Sequence, residues 1–141
     1  NYSCVLKITG YSGSALLTGD IEQASERALV ERYGKTLEVD VLQVPHHGSK
    51  TSSTKTFLSA VNPEYGLLSR GIKNRFGHPR PEVLARYRKL GIRVLDTAPH
   101  GQITLRTTLS GWQVETFADR RLRFWHRPAS QGEPVYLGQD R

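Results

Sequence analysis

The sequence predicts an α/β fold in which helices flank a mixed β-sheet, and three features of the chain indicate it. Short apolar runs typical of strands alternate with amphipathic segments of helical length. Glycine or proline separates most of these segments. The resulting order is ββαβαβαβ followed by a hairpin. Strands separated by helices usually pair in parallel, so we expect helices to pack on a largely parallel sheet.

The first half of the chain contains a hairpin, a helix and a buried strand. Two short strands, in SCVLKITG and SALLTGD, surround the turn GYSGS. Asp20 and Gln23 form a capping-box pattern before a helix that Gly34 ends. The run VDVLQV is almost continuously apolar, which is typical of a strand covered on both faces.

The second half alternates helices with strands and closes in a hairpin. A short helix, TFLSAVN, ends before Pro63, and YGLLS forms the next strand. The segment PEVLARYRKLG begins with proline and ends in glycine, as many helices do. IRVLDT is the fifth strand, and GQITLRTTLSGWQVETF predicts the closing hairpin. We place the domain at residues 1–118 and interpret residues 119–141 as a basic, loosely ordered tail containing proline and glycine.

Composition narrows the class of protein. The net charge is +7, from 20 Lys and Arg against 13 Asp and Glu, which favours a polyanionic partner such as nucleic acid. The single cysteine excludes an internal disulfide and a cysteine-based zinc cluster. No apolar run approaches the roughly 18 residues of a membrane helix, so we expect no membrane contact by this segment. The chain lacks methionine and begins at Asn1 within a strand pattern, so we interpret it as part of a longer protein.

Polar side chains follow the ends of successive predicted strands. They are Asp20, His46, His47, Asn74, His78 and Asp96. The carboxyl ends of parallel strands meet at one edge of a sheet, where ligands of α/β proteins bind. Carboxylates and imidazoles are ligands for zinc or manganese, and a metal-bound water can be a nucleophile near neutral pH. The pattern therefore predicts a metal site at this edge.

Each of these residues also has a structural interpretation. Asp20 could cap the following helix. One of His46 and His47 could be structural, because neighbouring residues of an extended chain point to opposite sides. His78, which precedes a proline, could be an ordinary loop histidine, and Asn74 could be a turn residue. Only the shared position of these residues at strand ends favours a site.

Four motifs occur in order along the chain: NYSCVLKI, LLTGD, DVLQVPHHGSKTSS and NRFGHP. Together they resemble the metallo-β-lactamase-like domain of the ComEC family, bacterial competence proteins for DNA internalisation, and the resemblance extends from residue 1 to about residue 117. It implies an αββα sandwich of which this chain is the second half, and a hydrolase site that uses a divalent metal, zinc or manganese. It also implies a parent protein that forms an inner-membrane channel for one DNA strand.

The resemblance implies roles for individual residues. Asp20 matches an aspartate that binds or bridges the metals, and His78 matches a late histidine that completes the second metal site. His46 and His47 match positions beside the metals or the phosphate, which makes them catalytic candidates. Which of the two faces the site is left open.

The same comparison implies a DNA-binding margin around the site. Candidates for contact with DNA phosphates are Ser49, Lys50, Lys73, Asn74 and Arg75. The implied partners are DNA, other parts of the membrane channel and the remaining half of the hydrolase domain. The implied location is the periplasm or the cell exterior, as a soluble domain of a bacterial inner-membrane protein.

One motif of the metallo-β-lactamase superfamily, HxHxDH, is absent from the chain. Either the chain begins within the domain, or this copy has lost its chemistry; we favour the first because of the chain's beginning. The chain alone is then expected to be inactive. The intact parent domain is expected to be a nuclease that degrades the non-transported DNA strand. A non-catalytic DNA-binding module and a metallohydrolase of a small substrate are the alternatives.

Overall fold

Five strands form one mixed sheet whose spatial order follows their order in the chain. The computed structural model describes residues 3–108 and 111–120, the side chain of residue 120 excepted. The strands are β1 (Leu6–Thr9), β2 (Ser14–Leu17), β3 (Val41–Gln43), β4 (Tyr65–Leu68) and β5 (Arg93–Asp96). β1 is antiparallel to β2, and the other three pairings are parallel. The predicted mixed α/β sheet is confirmed.

Three helices connect the parallel strands. They are α1 (Gln23–Tyr33), α2 (Lys55–Val61) and α3 (Pro81–Lys89). Crossover connections have one hand, so strands that follow one another in sequential order place all their helices on the same face of the sheet. Two 3₁₀ turns, Gly34–Leu37 and Pro45–Gly48, and two short helices, α4 (Thr97–His100) and α5 (Phe117–Arg120), complete the described helical elements.

The main hydrophobic core lies between these helices and the sheet. The apolar residues that the helices contribute are Phe57, Leu58, Val61, Val83 and Tyr87, each 1% exposed or less. They pack against Leu16, Leu42, Leu68 and Val94 of the sheet. Burial of this apolar surface is the main source of stability, since each fully buried side chain contributes about 1.5–3 kcal/mol.

The opposite face of the sheet is covered by an antiparallel hairpin. Its strands are β6 (Ile103–Thr108) and β7 (Gly111–Thr116), which contribute Ile103, Leu105, Trp112 and Val114 to a second apolar cluster. On the sheet the buried members of this cluster are Val41, Tyr65 and Leu95. Strand alternation and register place Leu6, Ile8 and Leu17 on the same face, where they are 55%, 50% and 39% exposed. The hairpin therefore covers only part of this face.

Helix α1 begins later than the capping-box pattern predicts. Its N-cap is Glu22, with no hydrogen bond from the cap side chain. The backbone N–H of Gln23 instead donates to the carbonyl of Thr51, 2.9 Å away. The predicted capping box is therefore wrong, and so is the interpretation of Asp20 as a helix cap. The predicted end at Gly34 is confirmed by its positive φ of 48°.

Residues 121–141 of the predicted tail lie outside the described part of the chain, so the 118/119 boundary stays a prediction. Within residues 3–108 and 111–120, no helix combines the length and the apolar character needed to cross a membrane.

Candidate functional site

The carboxyl ends of β2 and β3 are joined by side-chain and backbone hydrogen bonds. The Gln43 side-chain oxygen accepts from the N–H groups of Thr18 and Gly19, at 3.1 and 3.3 Å. The N–H of His46 donates to the carbonyl of Gly19, 3.1 Å away. The loop that carries Asp20 is therefore fixed against the turn that carries the two histidines.

His46 and His47 both adopt the left-handed conformation. Their φ/ψ angles are 47°/41° and 52°/25°, within the turn Pro45–Gly48, which we call the His turn. Non-glycine residues in this region cost about 1–2 kcal/mol each, so the surrounding contacts must hold them there. One such contact is the buried hydroxyl of Ser52, which donates to the carbonyls of Pro45 and Ser49. The expectation that adjacent histidines point to opposite sides assumed an extended chain, which this turn is not.

His47 is oriented towards Asp20. Its Nδ1 lies 2.6 Å from the carbonyl oxygen of Ser69, and its Nε2 lies 3.6 Å from Asp20 Oδ1. A carbonyl oxygen only accepts hydrogen bonds, so Nδ1 carries a proton, and in the neutral ring Nε2 carries the lone pair. A lone pair and a carboxylate at this distance are compatible when a cation, either a proton or a metal ion, lies between them.

The distance between His47 Nε2 and Asp20 Oδ1 can be compared with the distance between two ligand atoms of a zinc ion. Zinc binds imidazole nitrogen and carboxylate oxygen at roughly 2.0–2.2 Å in a tetrahedral arrangement, so two of its ligand atoms lie about 3.4 Å apart. The 3.6 Å separation of His47 Nε2 and Asp20 Oδ1 is close to that value. A backbone carbonyl, like the one on Nδ1 here, is one of the common outer partners of a metal-binding histidine. The pair therefore fits as two of the ligands of a metal ion.

His46 and His78 form a second pair beside the first. Their ring centroids are 5.9 Å apart at an interplanar angle of 66°. Nδ1 of each ring is buried and makes no hydrogen bond within the described part of the chain. His46 Nδ1 does lie 3.2 Å from Glu22 Oε1, a distance suited to an ion pair, but without hydrogen-bond geometry. An unsatisfied buried nitrogen such as His78 Nδ1 costs about 1–3 kcal/mol, which is more typical of a binding site than of a core.

The environment of His78 disfavours its protonation. Burial lowers the pKa of His78 below the usual value for histidine, and the positive charge of Arg80 and the imidazoles of His46 and His47 lower it further. The neutral ring, with one nitrogen lone pair, is therefore favoured in the folded chain near pH 7.

The segment of residues 49–54, which we call the Ser/Thr loop, is held by a buried carboxylate. Glu26 of α1 is fully buried and accepts from the backbone N–H groups of Ser53 and Thr54. From α3, Arg86 donates to the carbonyls of Ser52 and Ser53, each 2.9 Å away. The loop is therefore fixed between two helices. Ser49 within it is buried and lies 3.2 Å, oxygen to oxygen, from the hydroxyl of Thr51.

The segment of residues 69–80, which we call the basic loop, carries the other predicted DNA contacts. Lys73 and Arg75 are exposed, as is Lys50 of the Ser/Thr loop. Asn74 is engaged within the loop, since its side chain accepts from the N–H of Phe76 and donates to the carbonyl of His78. The role of Asn74 as a substrate contact stays a prediction, and its observed role is to shape the loop.

The start of the basic loop is anchored to the end of β5. Arg70 Nε donates a hydrogen bond to Asp96 Oδ2 at 2.7 Å, and Arg70 Nη2 lies 2.6 Å from the same oxygen in an ion pair. The other carboxylate oxygen of Asp96 accepts from the N–H of Ala98. Because Ser69 precedes Arg70, this ion pair also fixes the carbonyl that orients His47. Asp96 was predicted to lie at the edge of the site. Its observed contribution is to hold Arg70 and thereby the start of the basic loop.

The structure brings the four leading candidates together, in pairs that the sequence did not predict. His47 neighbours Asp20, while His78 neighbours His46. No group of three or more His, Cys, Asp or Glu side chains suited to a metal ion occurs in residues 3–108 and 111–120. Asp20 and His47 thus offer two metal ligands, and a catalytic site requires about three. The metal roles of these residues stay predictions.

Three contributing residues had no sequence signal. Glu26 and Glu22 sit in the N-terminal part of a charged helix segment, and Arg70 sits in a loop with many cations. Their partners are 24 to 28 residues away in the chain, so only the tertiary fold reveals them.

Comparison with known proteins gives relatives over most of the chain, although no family model matches it. The chain is 36% identical over 126 residues to the uncharacterized protein YcaI of Escherichia coli, covering 89% of this chain and 17% of YcaI. It is 43% identical over 101 residues to competence protein ComA of Neisseria gonorrhoeae, covering 72% of this chain and 15% of ComA. It is 39% identical over 103 residues to recombination protein 2 of Haemophilus influenzae, covering 73% of this chain and 13% of that protein.

The chain thus spans between 13% and 17% of the length of these relatives. The matched part covers 72–89% of this chain. The chain is therefore homologous, over most of its length, to a segment of competence proteins of the ComA type.

Proposed function

We propose that this chain is part of a metal-dependent hydrolase domain that acts on DNA in a protein of bacterial DNA uptake. The observation that carries the proposal is the pair formed by His47 Nε2 and Asp20 Oδ1, 3.6 Å apart beside two further histidines. Homology to a competence protein supports DNA as the substrate. The domain would be of the metallo-β-lactamase type and would face the periplasm or the cell exterior.

The residues of the chain would divide the chemistry between them. Asp20 and His47 would supply two ligands to a divalent zinc or manganese ion, and the other ligands would come from the remaining half of the domain. A bound metal supplies a water of lowered pKa near neutral pH. The neutral His78 can accept a proton or donate a hydrogen bond beside the metal ligands. Lys50, Lys73 and Arg75 would offset phosphate charge.

The uncovered apolar area of the sheet supports the idea of a second half. Leu6, Ile8 and Leu17 expose apolar side chains on the face that the hairpin covers only in part. A second sheet packed there would bury them and complete an αββα sandwich. The same packing would bring further ligands to the carboxyl edge of this sheet. The remainder of the parent protein would form the membrane channel.

Substitution of a proposed ligand tests this function in the complete gene product. We expect His47→Ala to lower metal-dependent DNA cleavage by at least about 100-fold, because even outer partners of metal ligands are worth 10–100-fold. The matched control is His100→Ala, since His100 Nδ1 also bonds a backbone carbonyl, that of Asp96 at 2.9 Å, outside the cluster. Cleavage would be followed on labelled duplex DNA with zinc or manganese and with EDTA.

Two outcomes would contradict the proposal. One is cleavage that persists in His47→Ala at the level of His100→Ala, which would remove His47 from the site. The other is DNA binding without cleavage under any metal, which would favour a non-catalytic DNA-binding module.

A further inference from the structure

The basic loop presents an aromatic ring to solvent beside His46, His47 and His78, which we call the histidine cluster. Phe76 is 62% exposed and Ile72, in the same loop, is 71% exposed. The Phe76 ring stacks on His78, with centroids 6.2 Å apart and an interplanar angle of 19°. The guanidinium of Arg75 lies 5.0 Å from the Phe76 centroid. More than half of a large apolar side chain is therefore left in water at the edge of the candidate site.

The position of this ring is set by the loop. Asn74 accepts from the N–H of Phe76 at 2.8 Å and donates to the carbonyl of His78 at 3.3 Å. The N–H of Gly77 donates to the carbonyl of Asn74. One asparagine therefore braces both sides of the turn that carries the ring. A ring held in this way loses little conformational entropy when a ligand binds.

The charge around the ring indicates the chemistry of its ligand. The basic loop contains Arg70, Lys73, Arg75 and Arg80 and no acidic residue. Arg70 is committed to Asp96, but Lys73, Arg75 and Arg80 are exposed. A ligand that suits this surface combines negative charge with flat apolar groups. Single-stranded nucleic acid has both, because its bases expose faces that a duplex hides.

We propose that Phe76 is a stacking platform that holds an unpaired nucleobase next to His78. The proposal rests on the function proposed above and deepens it, because it specifies that the DNA is single-stranded, or frayed, where it meets the site. The base would stack on the exposed part of the ring. Arg75 and Lys73 would contact the flanking phosphates, which places the backbone beside the histidine cluster.

Binding measurements on the 141-residue chain test the platform without any cleavage. The probes are a labelled 12-nucleotide single strand, an abasic strand of the same length and charge, and a blunt duplex, all in EDTA. We expect Phe76→Leu to weaken binding of the base-containing strand by about tenfold, because one base stacked on an aromatic ring contributes that much or more. Binding of the abasic strand and the duplex should change less than twofold.

Matched variants separate stacking from loss of apolar surface. Ile72→Ala removes an exposed apolar side chain from the same loop. Tyr33→Leu removes an exposed aromatic from a second arginine–aromatic pair, in which Arg32 lies 5.4 Å from the Tyr33 centroid at the end of α1. Neither should change binding more than twofold. Phe76→Trp should retain affinity, and the fluorescence gained at position 76 should be quenched by the base-containing strand but not by the abasic strand.

Equal losses for the abasic and the base-containing strand in Phe76→Leu would overturn the platform, as would no loss at all. A loss in Tyr33→Leu as large as that in Phe76→Leu would also overturn it. Because these measurements contain no metal, they are independent of the cleavage test. If the binding measurements show no stacking, the hydrolase proposal still stands or falls with the His47→Ala cleavage assay. If the cleavage assay fails, the result on stacking is unaffected.

Discussion

Replacing Glu26 with alanine is expected to lower the free energy of unfolding by about 3 kcal/mol or more. The carboxylate is fully buried and accepts from the N–H groups of Ser53 and Thr54. Its removal leaves the buried N–H of Ser53 and the partly buried N–H of Thr54 without this partner, and an unpaired buried donor costs about 1–3 kcal/mol. It also releases the Ser/Thr loop that follows the His turn. Urea denaturation monitored by circular dichroism measures the change.

The same helix supplies the control for Glu26. Glu31 has a 70% exposed side chain and pairs with Arg27 at 3.6 Å, one helical turn away. Such exposed pairs contribute about 0.3–0.5 kcal/mol, so Glu31→Ala should change stability by no more than that. Glu26→Gln retains one acceptor oxygen and should fall between wild type and Glu26→Ala. Equal stabilities of Glu26→Ala and Glu31→Ala would show that the buried carboxylate does not anchor the loop.

Alanine at Gly48 is expected to destabilise the chain by about 3 kcal/mol and to move His78 away from His46. Gly48 has a φ of 78°, which costs alanine about 1–2 kcal/mol. Its added Cβ would lie 2.6 Å from Cβ and 3.1 Å from Cα of Pro79, a collision that adds about 1–3 kcal/mol. Pro79 follows His78, so the substitution should push His78 away from His46.

Gly34→Ala separates the two causes. Gly34 also has a positive φ, of 48°, but an added Cβ would meet nothing within 4 Å. It should therefore show backbone strain without a collision and leave the cluster undisturbed. Denaturation gives the stability of each variant, and the imidazole resonances of His46 and His78 report the cluster. An unchanged His78 resonance in Gly48→Ala would contradict the predicted displacement.

The architecture was predictable from the sequence because its signals are local. Apolar runs, the proline and glycine boundaries of α3 and the end of α1 at Gly34 each depend on a few neighbouring residues. The gathering of Asp20, the two adjacent histidines and His78 was predictable too. It follows from the general rule that parallel strands end at one edge of a sheet.

The internal arrangement of the site was not predictable in this way. Which histidine faces Asp20 depends on a turn in which two consecutive non-glycine residues have positive φ. That conformation is held by the hydroxyl of Ser52, which bonds the nearby carbonyl of Pro45, and by a long-range bond from the N–H of His46 to the carbonyl of Gly19. Glu26 escaped prediction for the same reason. An acidic side chain in a charged helix looks solvated until the loop that it anchors, 27 residues away, is in place.

Paramagnetic broadening by Mn²⁺ tests the central claim, that the histidine cluster is part of a metal site, most directly. Mn²⁺ would be titrated into the 141-residue chain while the imidazole C–H resonances are followed by NMR. Even two ligands that hold the ion weakly bring it close enough to broaden neighbouring protons. We predict that His46, His47 and His78 broaden first and that Asp20→Ala suppresses the effect. His100, whose Nδ1 bonds the carbonyl of Asp96, is the internal reference and should stay sharp. Broadening of His100 in step with the other three, or no selective broadening at millimolar Mn²⁺, would contradict the assignment of a metal site to this edge of the sheet.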